Sequence, residues 1–391
     1  MKKWGIILAI ILLIGFAGWL FLLRTGKVKM PHRKPIVKQT DSTDIIHRKY
    51  LYNTLDSFFT ARSIDDNFSG SVLVSVKGEP VYEKCFGYCD YRTKDLMTDT
   101  NSFQLASVSK TFTATAVLWL VEHGKLSLQD TLQKFFPDMP YKNITVQLLL
   151  CHRSGLPNYL YFCDRKATGG AEYITNNDVL NIIAKQKPSA YALPDKKFEY
   201  CNTNYVLLAC IVEKVTGKKF KPFMEETFFN PLGMAHTFIY NAFDSTDRKI
   251  AISYNSKWQI QHDDCFDGVV GDKGVYSTVH DMFTWDKAFY DGKLLSQKMM
   301  QEAYAPRSFE KPGVRNYGYG WRLIQKPDSS YLVYHNGWWH GNNTVFCRNI
   351  QDTTSIIILS NRFNRSVYNI QPVWQILYGI QTDTSAEQGE E

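Results

Sequence analysis

The chain has 391 residues, 44% of them hydrophobic and 14% aromatic, with a formal net charge of +7. This composition supports a large buried core and excludes an intrinsically disordered chain, and the length suits one compact unit with an inserted subdomain. Part of the positive charge flanks an N-terminal apolar segment, so it indicates a membrane flank and no nucleic-acid partner.

The N-terminal apolar segment runs without a charge from Trp4 to Leu23. A helix of about 20 residues is roughly 30 Å long, which is enough to cross a bilayer. We expect residues 1–24 to be a transmembrane anchor, with a secretory signal peptide as the alternative. More lysines and arginines follow the segment than precede it, which by the positive-inside rule opposes an outward-facing domain. An extracytoplasmic placement is expected instead from the chemistry described below.

The stretch after the anchor mixes basic residues with two prolines and shows no apolar period. Residues 25–49 are therefore expected to be a linker, residues 50–380 the folded domain and residues 381–391 a polar tail. Two strand-like runs early in the domain, Ser71–Val76 and Val81–Phe86, are separated by turn residues and predict a β-hairpin.

The middle of the domain is helical and its end is rich in strands. The apolar stretch Ser107–His123 ends at Gly124 and predicts a buried helix, and helices follow at Val146–Leu150, Asp178–Ala184 and Tyr205–Val215. Four β-rich runs and a closing helix come next: Trp321–Leu323, Tyr331–Tyr334, Asn343–Phe346, Ser355–Leu359 and Val373–Tyr378. Strands on both sides of a helical middle predict an α/β (α+β) fold, an antiparallel sheet flanked by helices with an inserted helical subdomain.

Ser107 and Lys110 form an SxxK motif at the start of the predicted buried helix, where residues three apart lie on one face. A serine hydroxyl becomes a good nucleophile only when a base takes its proton, and a lysine is such a base only if burial lowers its pKa towards neutrality. The apolar helix supplies that burial, and its N-terminus offers a backbone N–H to an oxyanion. The same spacing also fits an N-cap serine with a solvated lysine, so the motif alone is weak.

Tyr200 and Asn202 come just before a predicted helix. A tyrosine beside Ser107 and Lys110 would relay a proton to a leaving group, and an asparagine would hold the lysine and a substrate carbonyl. For this short sequence alone, a packed aromatic followed by a helix cap is the alternative.

His335 and Gly337 follow the predicted strand Tyr331–Tyr334. Glycine lets a substrate approach the strand edge, and the N–H of Trp338 is a candidate second donor to an oxyanion. The pair Trp338 and Trp339 indicates a partly apolar substrate, with a buried core pair as the alternative.

Three other patterns are expected to be structural, and we expect no metal and no cofactor. The eight cysteines lack metal-like spacing and are expected as small buried residues, although an oxidising compartment would allow some to pair. His152 and Ser154 lack a GxSxG elbow and are expected in a structural loop. Four aspartates fail the spacing of a calcium loop and are expected in an exposed acidic loop: Asp263, Asp264, Asp267 and Asp272.

The order and spacing of the three motifs resemble those of serine β-lactamases of class C type and the related penicillin-recognising peptidases and esterases. The resemblance covers roughly Ser71 to Tyr378. It includes six segments: FQLASVSK (103–110), GKLSLQD (124–130), LLLCHRSGLP (148–157), NPLGM (230–234), YSTVHDM (276–282) and YGYGW (317–321).

This resemblance implies an active site between the sheet and the helical subdomain. It implies Ser107 as the nucleophile that forms an acyl-enzyme, with Lys110 and Tyr200 as proton-transfer groups. It also implies Asn202 as the residue that positions the substrate and the lysine, and the strand from His335 through Gly337 and Trp338 as the substrate-binding edge.

The third motif departs from the family pattern in its charge. Many members have lysine, threonine, glycine where this chain has His335, Asn336 and Gly337. A histidine with a pKa of about 6.5 would hold a substrate carboxylate only weakly at neutral pH. We therefore expect a serine hydrolase acting on an amide or ester, a peptidase or esterase. A true β-lactamase, a D-Ala-D-Ala carboxypeptidase and a catalytically silent, membrane-tethered binding or sensor domain are the alternatives.

The expected partners follow from this chemistry. They are a small-molecule or peptide substrate, with the cell wall as one source, and the membrane through the N-terminal helix. The expected location is the membrane, with the catalytic domain extracytoplasmic, in the periplasm or at the cell surface.

Overall fold

The computed structural model describes residues 42–164, 166, 169–240, 249–311 and 313–379. The expected anchor at 1–24 and the polar tail at 381–391 lie outside these residues. Within the described ranges, no helix has the length and apolar character needed to cross a bilayer.

The described residues form twelve strands. These are β1 (Gly70–Val76), β2 (Glu79–Phe86), β3 (Tyr88–Asp90), β4 (Asp95–Leu96), β5 (Phe103–Gln104), β6 (Phe238–Ile239), β7 (Val275–Ser277), β8 (Arg315–Tyr317), β9 (Arg322–Gln325), β10 (Tyr331–Trp339), β11 (Asn342–Asn349) and β12 (Thr354–Ser360). Seven of them form the main sheet in the order β2-β1-β12-β11-β10-β9-β8. Smaller sheets pair β3 with β4 and place β7 between β5 and β6.

Helices cover both faces of the main sheet and fill the middle of the chain. They are α1 (Ser42–Asp65), α2 (Ser109–Glu122), α3 (Leu132–Phe135), α4 (Val146–Leu150), α5 (Asn176–Gln186), α6 (Asn202–Thr216), α7 (Phe220–Met224), α8 (Asn230–Leu232), α9 (Val279–Tyr290), α10 (Gln297–Ala303) and α11 (Gln371–Tyr378).

The predicted antiparallel sheet, built from both ends of the chain, is confirmed. β1 pairs with β12 from Gly70↔Ser360 to Ser75↔Ser355, so the first and last strands lie side by side. The second strand begins earlier than predicted and includes Pro80. It can do so because β2 is an edge strand and the register shifts opposite Pro80, where a residue without an N–H is tolerated.

The first helix begins inside the segment predicted to be a linker. α1 starts at Ser42, and from residue 44 onwards the first buried side chain is Leu51. Residues 44–50 are exposed apart from the half-buried Arg48, so burial of α1 side chains against the rest of the domain is seen from Leu51 onwards.

The two faces of the sheet bury separate apolar cores, because successive side chains of a strand point to opposite faces. Ile356 and Ile358 of β12 pack in a cluster with Phe59 of α1 and Trp374 of α11. Ile357, between them in sequence, belongs to the larger cluster that contains α2, α6 and α9. The predicted functional residues lie on this second side, where the sheet meets the helical subdomain.

Candidate active site

Ser107 lies on a tight 3-10 turn, Ala106–Val108, that leads from β5 into α2. The α-helix proper begins two residues after Ser107. Ala106 has a φ of 49°, a left-handed conformation that costs a non-glycine residue about 1–3 kcal/mol and persists only where the surroundings fix it. The serine is therefore presented on a strained turn and not as part of a regular helix.

Two strands hold this turn through Leu105. Its N–H donates to the carbonyl of Val275 in β7 at 2.9 Å. Its own carbonyl accepts from Thr344 Oγ1 in β11 at 2.8 Å. The turn that carries Ser107 is thus fixed by both the small sheet and the main sheet.

Lys110 points back from the first turn of α2 towards the serine, as the i, i+3 spacing predicts. Its Nζ lies 3.0 Å from Ser107 Oγ. The same Nζ donates to the backbone carbonyl of Asp272 at 2.9 Å, and the side chain is fully buried. Since the lysine is not solvated, the alternative of an N-cap serine with a surface lysine does not describe this site.

Tyr200 lies beside Lys110. The lysine Nζ is 5.0 Å from the centre of the tyrosine ring, and the guanidinium carbon of Arg322 is 5.1 Å from the same centre. The ring of His152 packs against Tyr200 with 4.4 Å between ring centres. The structure therefore places Tyr200 beside Lys110, which in turn contacts Ser107, and the catalytic roles of the three residues stay a prediction.

Asn202 is the first residue of α6, two residues after Tyr200, and is half-buried. Its Oδ1 is buried and meets no hydrogen-bond donor among the described residues. The predicted role of Asn202 in holding the substrate and the lysine stays a prediction.

His335 is fully buried at the point where β10 passes the site. Its Nδ1 lies 2.6 Å from the carbonyl of Asn336 and its Nε2 lies 3.2 Å from Tyr317 Oη. Burial, helped by the charges of Arg322 and Lys110, holds the pKa of His335 well below its usual range. The imidazole is therefore neutral at neutral pH and offers no fixed positive charge.

Gly337 lies directly against the turn that carries Ser107. A Cβ atom at this position would lie 2.3 Å from the carbonyl oxygen of Leu105 and 3.0 Å from the backbone N of Ser107. The strand approaches Ser107 this closely only because residue 337 has no side chain. Gly337 therefore brings the backbone of β10 against the backbone of the serine turn.

The edge of β10 beyond this point is not covered by the neighbouring strand. β9 pairs with β10 from Tyr331↔Gln325 to Tyr334↔Arg322, and its pairing stops there. Trp338 is 43% exposed, whereas the indole N–H of Trp339 donates to Asp267 Oδ1 at 2.9 Å. The alternative of a buried core pair is therefore wrong for these two tryptophans.

The expectation of an exposed acidic loop is also wrong, because two of the four aspartates are buried. Asp267 and Asp272 are 4% and 3% exposed. Asp272 supplies the backbone carbonyl that holds Lys110, and Asp267 accepts from Trp339 and lies 2.8 Å from His340 Nε2. Asp267 and Asp272 are buried because they contact other residues of the site. The spacing of the aspartates in the sequence does not reveal these contacts.

Asp263, Asp267 and His340 place potential ligand atoms within 4.8 Å of one another. Their oxygens already accept from protein donors, since Tyr240 Oη donates to Asp263 and the Asp264 N–H donates to Asp267, both at 2.7 Å. Asp267 in this cluster binds Trp339 and His340 at the end of β10, and we assign no metal to the cluster.

His152 and Ser154 support the segment that carries Tyr200. His152 Nδ1 accepts from the backbone N–H of Cys201 at 3.1 Å, and Ser154 Oγ donates to Asn204 Oδ1 at 2.6 Å. Burial holds the pKa of His152 well below its usual range. These contacts agree with the expected structural loop. All eight cysteines lie within the described residues, and five of them are buried.

Comparison with known proteins agrees with this geometry. The family model described as "Beta-lactamase" matches residues 55–377. Penicillin-binding protein 4* of Bacillus subtilis (strain 168) is 30% identical over 345 residues, which cover 83% of this chain and 76% of that protein.

Two solved structures show the same fold. A penicillin binding protein from Bacillus halodurans has a TM-score of 0.73 and 24% identity, over 82% of this chain and 98% of that one. The D-amino acid amidase of Ochrobactrum anthropi SV3, complexed with L-phenylalanine amide, has a TM-score of 0.67 and 24% identity, over 85% of this chain and 97% of that one.

The chain belongs to the β-lactamase family and has the fold of β-lactamases and penicillin-binding proteins. It is a serine hydrolase of this family. The family resemblance, the fold class and the enzyme class predicted from the sequence are confirmed.

Proposed function

We propose that Ser107 attacks the carbonyl carbon of an amide or ester, with Lys110 as the base and Tyr200 as the group that passes a proton to the leaving group. The observation that carries this proposal is the 3.0 Å separation between Lys110 Nζ and Ser107 Oγ. This distance lies within the range needed for direct proton transfer between a nucleophile and its base.

The reaction proceeds in two halves. In the first, the bond from Ser107 Oγ to the acyl carbon forms while the hydroxyl proton moves to Lys110 Nζ. The bond to the leaving amine or alcohol then breaks, and the leaving group takes a proton through Tyr200. In the second half, water attacks the acyl carbon and gives a proton to Lys110 or Tyr200. The bond from the acyl carbon to Ser107 Oγ then breaks, Oγ takes that proton, and the acid is released.

The negative charge that develops on the acyl oxygen needs donors close to Ser107. The backbone N–H of Ser107 and that of Trp338 are the proposed pair. The close approach of Gly337 to Ser107 supports this assignment, because it brings the two backbone segments to within contact distance.

A peptidase or esterase is favoured over a β-lactamase on charge and on shape. His335 is neutral at neutral pH, so the third motif provides no ammonium to hold a substrate carboxylate. Trp338 is exposed at the substrate edge, and its ring centre lies 5.9 Å from that of Phe363. These features suit a small amide, ester or peptide with an apolar group beside the reacting carbonyl.

Cell-wall chemistry is the second candidate, and the relatives named as penicillin-binding proteins favour it. A D-Ala-D-Ala carboxypeptidase or a true β-lactamase would fit those names, and the D-amino acid amidase suggests an amide substrate. A silent binding or sensor domain is the third candidate, and the short Lys110 to Ser107 distance opposes it.

The proposed location is extracytoplasmic, with the chain tethered to the membrane through residues 1–24. This part of the proposal rests on the uncharged segment Trp4–Leu23 and on the cell-wall substrates that the relatives' names suggest. Protease protection of the tagged full chain in intact cells tests it, since an outward domain is digested without lysis.

A pair of matched peptides tests the substrate class. We expect the purified full-length protein to hydrolyse an acyl-D-Ala-D-Ala peptide and the methylamide of the same peptide at rates that differ by no more than about threefold. The reason is that the neutral His335 makes no charge-assisted hydrogen bond to the free carboxylate. Initial rates for both, with a p-nitrophenyl ester as the neutral reference, provide the measurement.

A preference for the free acid of more than about tenfold, the effect expected of one charge-assisted hydrogen bond, would contradict the proposal that the substrate needs no free carboxylate. It would favour a carboxypeptidase and would point to Arg322 as the cation that holds the carboxylate.

A further inference from the structure

A buried polar network lies behind Lys110. Lys110 Nζ donates to the backbone carbonyl of Asp272 at 2.9 Å. The carboxylate of the same residue accepts from Tyr159 Oη at 3.0 Å, and Tyr159 Oη in turn accepts from Lys273 Nζ at 2.5 Å. All four side chains are at most 3% exposed. A continuous chain of contacts therefore leads from the proposed base to a second lysine.

The network needs the charge of Lys273. Asp272 Oδ2 is held by Tyr159, but Asp272 Oδ1 is buried and meets no hydrogen-bond donor among the described residues. A buried carboxylate with a free oxygen is costly unless a counter-charge is close. Lys273 Nζ lies 3.6 Å from Asp272 Oδ2 and is the cation that provides it.

Lys273 also connects the network to the substrate-binding strand. Its Nζ lies 4.7 Å from the ring centre of Trp339, the last residue of β10, and the indole of Trp339 donates to Asp267. The buried Lys273 thus lies between the network behind Lys110 and Trp339 at the end of β10.

The other titratable groups around Lys110 and Lys273 include neutral and charged side chains. Burial lowers the pKa values of His152 and His335 and raises those of Tyr159 and Tyr205. The remaining groups that face the two lysines are Tyr200, Arg322, Asp264, Asp267 and Asp272. Among the charged groups, Asp272 supplies the carbonyl that holds Lys110, and Lys273 Nζ lies 3.6 Å from the Asp272 carboxylate.

We propose that Lys273, through Tyr159 and Asp272, is a positioning residue that holds Lys110 against Ser107 and keeps it in its proton-accepting form. This inference rests on the proposed function, in which Lys110 is the base for Ser107. Lys273 contacts neither Ser107 nor the reacting carbonyl, and it acts through the carbonyl and the carboxylate of Asp272.

The sign of the effect on pH dependence follows from the two charges. Replacing Lys273 with methionine removes the cation that lies 3.6 Å from Asp272 Oδ2 and leaves the Asp272 carboxylate, on the residue that holds Lys110, unbalanced. Both changes favour the protonated form of Lys110, which cannot accept the serine proton. The acid limb of the pH profile for acylation should therefore move to higher pH.

The test uses the full-length protein and two small probes, p-nitrophenyl acetate and an alkyl fluorophosphonate. We expect Lys273→Met to lower the rate of acylation at pH 7 by about 10- to 100-fold, the scale of a small misplacement of a catalytic group, and to move the acid limb upwards. Lys273→Arg should restore most of the rate and the position of the limb. Lys298→Met, an exposed lysine on α10, is the matched control and should change neither.

Each outcome decides the matter. A folded Lys273→Met protein with an unchanged rate and profile, or with a lower rate but an unmoved profile that arginine does not restore, overturns the proposal. So does a rise in KM alone, which would make Lys273 a substrate-binding residue.

If Lys273→Met does not fold, Tyr159→Phe is the variant to test. It should lower the rate by about tenfold with the fold retained, and an unchanged rate overturns the inference. Absence of labelling in the wild type would overturn the proposed function itself, whereas a labelled wild type with a normal Lys273→Met overturns this inference alone.

Discussion

Replacing Lys110 with methionine should lower the rate of Ser107 acylation by about 10³-fold, the usual effect of losing a general base that also activates the nucleophile. The methionine side chain keeps most of the apolar length of lysine, so the buried space in α2 stays filled. What is lost is the Nζ atom that lies 3.0 Å from Ser107 Oγ and 2.9 Å from the carbonyl of Asp272. The second-order rate of inactivation by a fluorophosphonate measures the loss.

The matched control for Lys110→Met is Lys298→Met, which removes the same charge from the surface. Thermal unfolding of both variants separates a loss of chemistry from a loss of fold. A folded Lys110→Met protein that reacts within tenfold of the wild type would show that another group takes the serine proton.

Replacing Gly337 with alanine should abolish most of the activity while Ser107, Lys110 and Tyr200 stay intact. The new Cβ would lie 2.3 Å from the Leu105 carbonyl, 2.5 Å from Thr344 Oγ1 and 3.0 Å from the Ser107 backbone N. Backbone atoms cannot move aside cheaply, so β10 must withdraw from the serine turn, and with it the N–H of Trp338. We expect kcat/KM for p-nitrophenyl acetate to fall about 10²- to 10³-fold, the cost of losing one oxyanion donor.

Gly124→Ala is the control for this second variant. Gly124 follows α2, and a Cβ there would meet nothing within 4 Å, although its φ of 67° makes the change mildly strained. It should cost about 1 kcal/mol in stability and leave the activity unchanged. If Gly337→Ala retained full activity, the assignment of the β10 edge as the substrate and oxyanion side would fail.

The elements with strong local signals could be predicted from the sequence. The helix Val146–Leu150 has the predicted bounds, because Thr145 caps its start by accepting from the Leu148 N–H. Ser107 and Lys110 could be paired because residues three apart share one face of a helix or tight turn. The short apolar runs of β1 and β12, rich in valine and isoleucine, indicated strands of the sheet.

The remaining parts of the site depend on contacts that the sequence pattern does not express. The partner of Lys110 is a backbone carbonyl, that of Asp272, and a carbonyl carries no residue-type signal. The left-handed Ala106 is imposed by β7 and β11, which lie far along the chain. Asp267 and Asp272 are buried because they bind Tyr159, Trp339 and His340. The local composition therefore wrongly predicts an exposed loop for these two residues.

The most direct test of the account is intact-mass analysis of the full-length protein after exposure to a fluorophosphonate, and separately to a penicillin, with Ser107→Ala alongside. The account predicts one phosphonyl group per chain on the wild type, located at Ser107 by peptide mapping, and none on Ser107→Ala. Formation of the Oγ–P bond with loss of fluoride reports the same activated serine that the 3.0 Å contact with Lys110 indicates. Labelling that persists in Ser107→Ala, or no adduct on a folded wild type, would contradict it.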